Sequence, residues 1–241
     1  LHADVCEIYT DVDGVYTADP RIVPNARKKQ EVTYEEMLEL ASLGAKVLHN
    51  RCVEMARRYN VKLVVKSSMM PGEGTVVKEC TKMEKMLISG VATDKNIAKI
   101  SVSGMKNDPE STFKLLNLMA GNNLNIDVMI QSLDHDGTKT LTFTVARADM
   151  LVAVKLLEEN SGMLGNVEVS CQEEVAKVSV VGAGVSANAG VAAKMFEALS
   201  GAGINTDMIT TSEIRITAVV REDEAETAMR AVHDRFAEEW M

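Results

Sequence analysis

Short apolar stretches, some continuous and some alternating with polar residues, predict the strands of this chain. Helices are predicted where apolar residues recur every three or four positions; the first has Thr33 and Glu36 as a capping box and ends near Gly44. The predicted strands are Val5–Thr10, Val61–Lys66, Met86–Ala92, Ile100–Ser103, Asn125–Ser132, Leu141–Val145, Val167–Ser170, Ala176–Val181, Asn205–Thr211 and Ile214–Val220. The other predicted helices are Arg51–Tyr59, Glu110–Ala120, Met150–Glu159, Gly190–Ser200 and Glu222–Glu238.

Part of this pattern occurs twice. The segment 98–104 returns as 176–182, and the segment 124–132 returns as 204–212. Both offsets are about eighty residues, which indicates one duplicated supersecondary unit rather than a solenoid of many repeats. The first copy has the element order βαββαβ, which is typical of a ferredoxin-like unit.

The second copy is one strand short of this unit, because only the helix Glu222–Glu238 follows its last predicted strand. The strand Met86–Ala92, in contrast, has no place in the first copy. We therefore expect this strand to fill the empty position in the second sheet, so that the first unit is inserted in the second. Ahead of both units, strand, helix and strand over residues 1–78 predict the end of a parallel α/β domain, so the fold class is α/β (α+β).

Composition is that of an ordinary globular protein, with 46% hydrophobic and 25% charged residues. The net charge of −9 argues against a nucleic-acid or anionic-membrane surface, and no apolar run is long enough to span a membrane. The four cysteines are far apart and the four histidines are scattered, so we expect reduced thiols, a cytoplasmic protein and no metal site. Because a strand follows Leu1 almost at once, we also expect a piece of something longer.

A turn after the first strand carries two carboxylates, Asp11 and Asp13. Such a pair can bind a metal, or its members can bond nearby backbone as turn formers, and the spacing alone favours the turn. Asp11 also follows the carboxyl end of a strand, where α/β sheets place ligands.

The segment Tyr9-Thr10-Asp11-Val12-Asp13-Gly14-Val15-Tyr16-Thr17-Ala18-Asp19-Pro20-Arg21, followed by Gly44-Ala45-Lys46-Val47-Leu48-His49, resembles the end of the amino-acid kinase domain of the aspartate kinase (aspartokinase) family. The duplicated unit resembles the tandem ACT regulatory pair of that family, so the resemblance covers the whole chain. It implies an ATP-binding part at 1–78, a first ACT domain at 94–171, and a second ACT domain at 83–93 plus 172–241.

The resemblance implies a nucleotide site, with ATP and Mg²⁺ for the complete enzyme and no tightly bound cofactor. An arginine and a lysine there would neutralise polyphosphate charge, which is much of what phosphoryl transfer requires of a protein. Carried over by position, the ATP-binding residues are Thr10, Asp11 and Tyr16 at the adenosine, Arg21 at the phosphates, and Lys46 with Val47 closing the pocket.

Two segments of the family are absent from these 241 residues. They are the Lys-Phe-Gly-Gly start and a Gly-Arg-Gly-Gly-Ser-Asp segment, which supply the phosphoryl-stabilising lysine and the aspartate-binding residues. The resemblance therefore implies an enzyme that phosphorylates the β-carboxylate of aspartate, but no catalytic residue in this chain and no activity from it alone. The alternative is a stand-alone regulatory subunit or an amino-acid-sensing ACT module without catalytic activity.

The ACT resemblance implies lysine, threonine or both as the effector. Helix starts near Glu110 and Gly190 offer N–H groups to a carboxylate, and Asp127 and nearby asparagines can receive an ammonium group. The candidate effector residues are Asn107, Asp108, Thr112, Asn125, Ile126, Asp127 and Gln131 in the first copy, and Ser186, Val191, Ala192, Asn205 and Thr206 in the second. Each Asn-x-Asp triplet is also consistent with a strand-entry turn, whereas its presence in both copies favours binding. Glu110 weakens the case for the first copy because its charge lies where a carboxylate would approach.

Two further hypotheses concern partners and a competing motif. We expect a homodimer or larger oligomer through the ACT domains, or an assembly with a full-length catalytic subunit; a monomer whose two units cover each other is the alternative. Gly182-Ala183-Gly184-Val185-Ser186-Ala187 matches a GxGxxA dinucleotide fingerprint. The predicted hairpin after it is wrong for a parallel dinucleotide-binding unit, so a loop that closes over an amino acid is the better interpretation.

Overall fold

The computed structural model describes residues 4–45, 47–79 and 88–240. Its strands are β1 (Val5–Thr10), β2 (Glu31–Thr33), β3 (Lys62–Ser67), β4 (Thr75–Lys78), β5 (Gly90–Asp94), β6 (Ile97–Met105), β7 (Met129–Leu133), β8 (Lys139–Ala146), β9 (Glu168–Gln172), β10 (Val175–Val181), β11 (Met208–Thr211) and β12 (Arg215–Arg221). Its helices are α1 (Tyr34–Ser42), α2 (Asn50–Arg58), α3 (Pro109–Gly121), α4 (Met150–Glu159), α5 (Ser161–Leu164), α6 (Gly190–Gly201) and α7 (Ala225–Arg235).

The chain forms two compact units. The first unit combines Leu1–Asp94 with Lys177–Met241, and the second unit is Lys95–Ala176. In the described ranges, no helix is long and apolar enough to cross a membrane.

One sheet of the first unit has the strand order β1-β3-β4-β2. β1 and β3 are parallel, as predicted, and Thr10 lies opposite Ser67 at their carboxyl ends. β4 runs antiparallel to β3, so the sheet is mixed and the expectation of a parallel sheet is wrong for this strand. β2 and β4 were not predicted, because runs of three and four residues are too short for alternation to show.

Helix α1 begins and ends as its sequence predicts. The Thr33 hydroxyl accepts from the Glu36 N–H and the Glu36 carboxylate accepts from the Thr33 N–H, which completes the capping box. At the other end Gly44 has φ +98°, and the Ala45 N–H donates to the Leu40 carbonyl at 3.0 Å. This bond is the long one of a Schellman motif, which stops the helix at a glycine.

The other sheet of the first unit has the order β11-β12-β10-β5. β5 pairs antiparallel with β10, with Val91 opposite Val180, so the predicted pairing of the early strand with the second copy is confirmed. The predicted start of that strand at Met86 and Leu87 lies outside the described residues. The domain boundaries, and the insertion of one domain in the other, stay predictions that this pairing supports.

The second unit is a four-stranded antiparallel sheet in the order β7-β8-β6-β9. This is the strand order of a ferredoxin-like unit. Helices α3 and α4 place their apolar faces on one core with the sheet, which includes Leu115, Met119 and Phe143. The predicted α4, Met150–Glu159, matches the structure.

Both Asn-x-Asp triplets lie before their strands rather than in them, because β7 begins at Met129 and β11 at Met208. A backbone bond helps to position each triplet: the Asp127 N–H donates to the Thr144 carbonyl at 3.1 Å, and the Asp207 N–H to the Val219 carbonyl at 2.8 Å. The strand prediction for Asn125–Val128 and Asn205–Asp207 is therefore wrong. These residues form an irregular segment that leads into the strand, with the equivalent backbone bond in both copies.

The predicted helix Glu222–Glu238 is also divided. A 3-10 turn at Glu222–Glu224 precedes α7, and a second at Ala237–Trp240 follows it. The break follows from Trp240, whose indole N–H donates to the carbonyl of His233 at 3.1 Å and turns the chain back on the helix.

Candidate functional site

The carboxyl ends of β1 and β3 form the edge where the nucleotide residues were predicted. The Thr10 hydroxyl donates to Asp11 at 2.9 Å, and the Thr10 carbonyl accepts from both the backbone N–H and the hydroxyl of Ser68. Parallel strands place ligands at this edge. Ser68 was missed by the sequence analysis, and the signal that points to it is the parallel pairing of the strand before it with β1.

The turn after β1 is held together by Asp13. Its carboxylate accepts from the Tyr16 hydroxyl at 2.9 Å and from the Lys28 ammonium at 3.2 Å. Burial opposes ionisation of Asp13, but these two donors outweigh it and hold its pKa below the ordinary value. Asp13 therefore acts as a turn former that fixes the ring of Tyr16, which agrees with the turn interpretation of this carboxylate.

Arg21 lies further along the same loop and is 85% exposed. Its guanidinium donates in a fork to the carboxylate of Asp19, with the shortest distance 2.7 Å, and this pairing lowers the pKa of Asp19. A phosphate would therefore compete with Asp19 for the guanidinium. Val47 is half-buried after α1, and Lys46 lies outside the described residues. The structure brings Thr10 and Asp11 together and ties Tyr16 to their turn, while Arg21 forms a separate pair.

The loop that carries Tyr16 and Arg21 is anchored to the C-terminal helix of the same unit. Thr17 is buried; its hydroxyl accepts from the Arg27 N–H and shares a 2.9 Å hydrogen bond with Nε2 of His233. His233 stacks on Trp240 with ring centroids 5.1 Å apart, and Arg27 donates to the Trp240 carbonyl at 2.8 Å. The sequence analysis missed His233, because a lone histidine in an amphipathic helix gives no functional signal.

We expect His233 to make the stability of the first unit depend on pH. Burial lowers the pKa of His233, aided by Arg27 and opposed by Asp234, so the folded state favours the neutral ring. A folded-state pKa below the ordinary value means that its contribution is complete above about pH 6.5 and is lost as the pH falls through the folded pKa. His233→Phe keeps the packing on Trp240 and should flatten this dependence.

The measurement is urea unfolding at about pH 8 and about pH 5.5, followed by fluorescence of Trp240, the single tryptophan. His135→Gln is the control, because His135 is exposed in the other unit. An unchanged pH dependence in His233→Phe contradicts this prediction.

A cavity of about 290 Å³ lies in the second unit, at the start of α3. Four of the predicted effector residues line it together with two residues that were not predicted. The lining residues are Asn107, Asp108, Pro109, Thr112, Gln131 and Lys139. Glu110 does not belong to this lining: it pairs with Lys114 at 2.9 Å on the exposed side of the helix, so its charge is directed elsewhere.

Hydrogen bonds connect the walls of this cavity. The Asp108 carboxylate caps α3 by accepting from the backbone and the hydroxyl of Ser111, each at 2.7 Å, and these bonds lower its pKa. The Thr112 hydroxyl donates to Gln131 at 3.1 Å. Lys139 donates to the Asp108 carbonyl and to Thr112, each at 2.6 Å. Asp108 uses one N–H group of the helix start, and a ligand in the cavity would also meet the side chains that line it.

The remaining first-copy candidates lie elsewhere in the unit. Asn125 and Ile126 line a second cavity of about 480 Å³, together with residues at the end of α3, and Asp127 belongs to neither lining. The predicted first-copy set is thus divided between two cavities.

The second-copy candidates follow the same pattern of exposure. Asn205 is exposed and Thr206 half-buried, as are Asn125 and Ile126 at the equivalent positions. Ser186 is exposed in the loop before α6, whereas Val191 is buried beneath that helix and Ala192 is half-buried. A side-chain contact between Val191 and a ligand is therefore not open in this structure.

Residues 1–67 match the model of the amino acid kinase family, and residues 178–236 match an ACT domain. The aspartokinase of Pseudomonas aeruginosa is 46% identical over 98% of this chain. The chain belongs to the aspartate kinase family. It spans 58% of the length of the Pseudomonas aeruginosa relative, and it carries the end of the amino acid kinase domain together with the ACT region of the family.

Solved structures of this family have the same fold. Aspartokinase III of E. coli with aspartate and ADP is 28% identical, with a TM-score of 0.83 over 98% of this chain and 53% of that one. Its complex with lysine and aspartate has a TM-score of 0.76 at 28% identity, over 97% of this chain and 52% of that one. The regulatory subunit of aspartate kinase from Thermus thermophilus is 34% identical, with a TM-score of 0.59 over 62% of this chain and 99% of that one.

Proposed function

We propose that this chain is the regulatory and partial nucleotide-binding portion of an aspartate kinase that converts ATP and L-aspartate to ADP and 4-phospho-L-aspartate. The observation that carries the regulatory role is the polar cavity at the start of α3, which gathers four predicted effector residues. Similarity to an E. coli enzyme solved with lysine supports an amino-acid effector, lysine, threonine or both. ADP in the other E. coli complex supports ATP as the nucleotide. Mg²⁺ as its counter-ion is part of the proposal.

The edge formed by β1 and β3 is the proposed nucleotide side. Thr10, Asp11 and Tyr16 would hold the adenosine part, because hydrogen bonds fix them on one turn. Arg21 would release the Asp19 carboxylate and bind a phosphate instead. Because one anion replaces another, the guanidinium need not become more buried. Lys46 and Val47 remain the proposed closing segment.

Association through the ACT units is part of the proposal. The edge strand β7 exposes Met129 and Leu133, which a second copy or a full-length catalytic subunit would cover. A stand-alone regulatory subunit without catalytic activity is the second candidate function, and it is favoured by the match to the Thermus thermophilus subunit over 99% of that protein.

The effector assignment predicts that Asn125→Ala and Asn205→Ala weaken amino-acid binding. Both asparagines are exposed, and in the part of the chain that the structure describes their side chains make no hydrogen bond. Asn125 lines the cavity at the end of α3, so its variant tests whether the ligand reaches that cavity. An asparagine that contacts the ligand can be substituted at little cost to folding, and we expect a loss of about 1–3 kcal/mol at the site concerned. Isothermal titration calorimetry with lysine and with threonine measures the loss, and the two variants identify the copy that binds.

Asn117→Ala serves as the control, since Asn117 is exposed on α3 outside both cavity linings. Wild-type chain that binds neither lysine nor threonine would refute the effector role. Binding that both variants retain at full strength would refute the assignment of the two asparagines alone.

A further inference from the structure

The loop of residues 17–28 has hydrogen bonds of its own that fix its shape. At its base the Thr17 N–H donates to the Arg27 carbonyl, and the Arg27 N–H donates to the Thr17 hydroxyl, each at 2.9 Å. Further along, the Val23 N–H donates to the Asp19 carbonyl at 2.8 Å. Because these bonds join neighbouring parts of the loop, they do not determine where the loop lies on the rest of the unit.

Helix α7 bonds to the middle of this loop. The Arg230 guanidinium donates to the Ile22 carbonyl at 2.8 Å, and the Asn25 amide donates to the Asp234 carboxylate at 3.0 Å. The bonded residues are 208 and 209 positions apart in the chain, so tertiary packing alone brings them together. Both bonds are exposed, and substitutions at such surface positions usually cost little global stability.

The base of the loop meets the same helix in the interior. Thr17 and His233 are 2% and 1% exposed, and the Thr17 hydroxyl shares a 2.9 Å hydrogen bond with Nε2 of His233. Nδ1 of His233 is also buried but has no hydrogen-bond partner among the described residues; a carboxylate oxygen of Asp234 lies 3.9 Å away. An unpaired buried polar atom is costly, and a phenylalanine would pack there without that cost. The bond to the loop is therefore what a histidine adds at this position.

Two further partners hold the base of the loop. The Thr17 carbonyl accepts from the Val91 N–H of β5 at 2.7 Å. The Arg27 guanidinium donates to the Trp240 carbonyl in the turn Ala237–Trp240 at 2.8 Å. The loop is thus bonded to a strand, a helix and a turn at once, and its position follows theirs.

We propose that α7 and the turn Ala237–Trp240 together act as a latch that places the 17–28 loop, and that Arg230 and His233 are positioning residues for the phosphate side of the proposed nucleotide site. The second half of this inference rests on the proposed function, in which Arg21 binds the phosphates. Because Arg21 is 85% exposed, the position of the loop determines where its guanidinium lies. A loop released from α7 has to be ordered again when a nucleotide binds, and this ordering weakens binding.

Amide hydrogen exchange tests the latch on the full chain, without any nucleotide. The variants are Arg230→Met and His233→Phe, which change α7 and leave the sequence of the loop intact. The matched control is Arg235→Met. Arg230 and Arg235 lie on the same helix with side chains 50% and 39% exposed, but Arg235 bonds to Glu197 of α6 instead of the loop.

We expect the amides of Val23 and Ala26 to exchange about 10-fold faster in Arg230→Met and in His233→Phe, because loss of one hydrogen bond favours local opening by about this factor. Both amides donate within the loop and keep their own acceptors in these variants. Arg235→Met should match wild type. Amides of β10 should exchange at the wild-type rate in all three variants, which separates release of the loop from a general loss of stability.

Kinetics test the positioning role in a longer polypeptide that carries the Lys-Phe-Gly-Gly and Gly-Arg-Gly-Gly-Ser-Asp segments ahead of these residues. The KM for ATP should rise about 5- to 10-fold in Arg230→Met and His233→Phe, because the loop has to be ordered on binding. The kcat and the KM for aspartate should stay within about 2-fold of wild type, since the ordered loop is the same once ATP is bound.

Unchanged exchange of the loop amides in both variants would overturn the latch. Equally faster exchange in β10, or in Arg235→Met, would overturn it too, because the effect would then be a general destabilisation. An unchanged KM for ATP beside a faster-exchanging loop overturns the positioning role. A longer polypeptide without turnover refutes the proposed function and the positioning role with it, while exchange still decides the latch. Should His233→Phe fail to fold by circular dichroism, Arg230→Met decides.

Discussion

A polypeptide of residues 1–241 alone is expected to release no ADP from ATP in response to aspartate. Phosphoryl transfer depends on preorganised charge around the transferring group. In the described part of the chain, Arg21 is the basic residue assigned to the phosphates, and it is exposed and engaged by Asp19. Loss of one preorganised donor costs about 10²–10³ in rate, and the resemblance implies that the two absent family segments supply several such groups.

A coupled assay of ADP release, with and without aspartate, measures this prediction against a buffer blank. The positive control is a longer polypeptide that carries the Lys-Phe-Gly-Gly and Gly-Arg-Gly-Gly-Ser-Asp segments ahead of the same 241 residues, in which aspartate-dependent turnover should return. Aspartate-dependent turnover by the 241-residue polypeptide clearly above the blank contradicts the prediction. A longer polypeptide without turnover counts against the proposed reaction instead.

The duplicated unit could be predicted because its signal is long and independent of local detail. Two copies at one offset fix the element order, and the missing strand in the second copy indicates the partner of β5. Short elements were not predicted because their signal is too short. β2 has three residues and α5 has four, too few to show hydrophobic periodicity.

The Asn-x-Asp triplets show why strand starts were placed too early. Leu124 and Ile204 are buried apolar residues next to each triplet, and they continue the apolar pattern of the strands that follow. In the structure they lie at the end of the preceding helix instead. The Leu124 N–H donates to the Met119 carbonyl, and the Ile204 N–H donates to the Leu199 carbonyl. Hydrophobic periodicity does not distinguish these two uses of an apolar residue.

Residues of the candidate site could be predicted only where they belong to a recognisable sequence motif. Asn107, Asp108, Thr112 and Gln131 were found from the repeat and the family resemblance, and the structure gathers them around one cavity. Lys139 was missed because a lysine after a hairpin turn looks like an ordinary solvent-exposed residue. Its burial depends on α3 packing against the start of β8, a tertiary contact that no local pattern encodes.

Gly44→Ala is expected to destabilise the first unit by about 2–5 kcal/mol, the largest stability effect of the substitutions considered. An alanine at φ +98° costs about 1–2 kcal/mol, because Cβ crowds the backbone in left-handed conformations. The new Cβ would also overlap the carbonyl oxygen of Thr93, a backbone atom of β5 that cannot rotate away. Forcing the two segments apart adds about 1–3 kcal/mol.

Gly203→Ala separates the two contributions within the same unit. Gly203 has φ +71°, and a Cβ there would meet no atom within 4 Å, so this variant should show only the backbone cost of about 1–2 kcal/mol. Urea unfolding followed by Trp240 fluorescence reports on the first unit for both variants. With a denaturant dependence of about 1–3 kcal/mol per molar urea, the midpoint of Gly44→Ala should fall clearly below that of Gly203→Ala.

The comparison of Gly44→Ala with Gly203→Ala also tests the contact between the sheet that contains β5 and the proposed nucleotide pocket. Gly44 precedes the segment assigned to close that pocket, and Thr93 belongs to β5 in the sheet of the second copy. Close approach of the two backbones requires a residue without Cβ, so a displacement of β5 would reach the start of the proposed closing segment. Equal urea midpoints for Gly44→Ala and Gly203→Ala would mean that the backbones at Gly44 and Thr93 can separate without cost. This contact could then not couple β5 to the proposed nucleotide pocket.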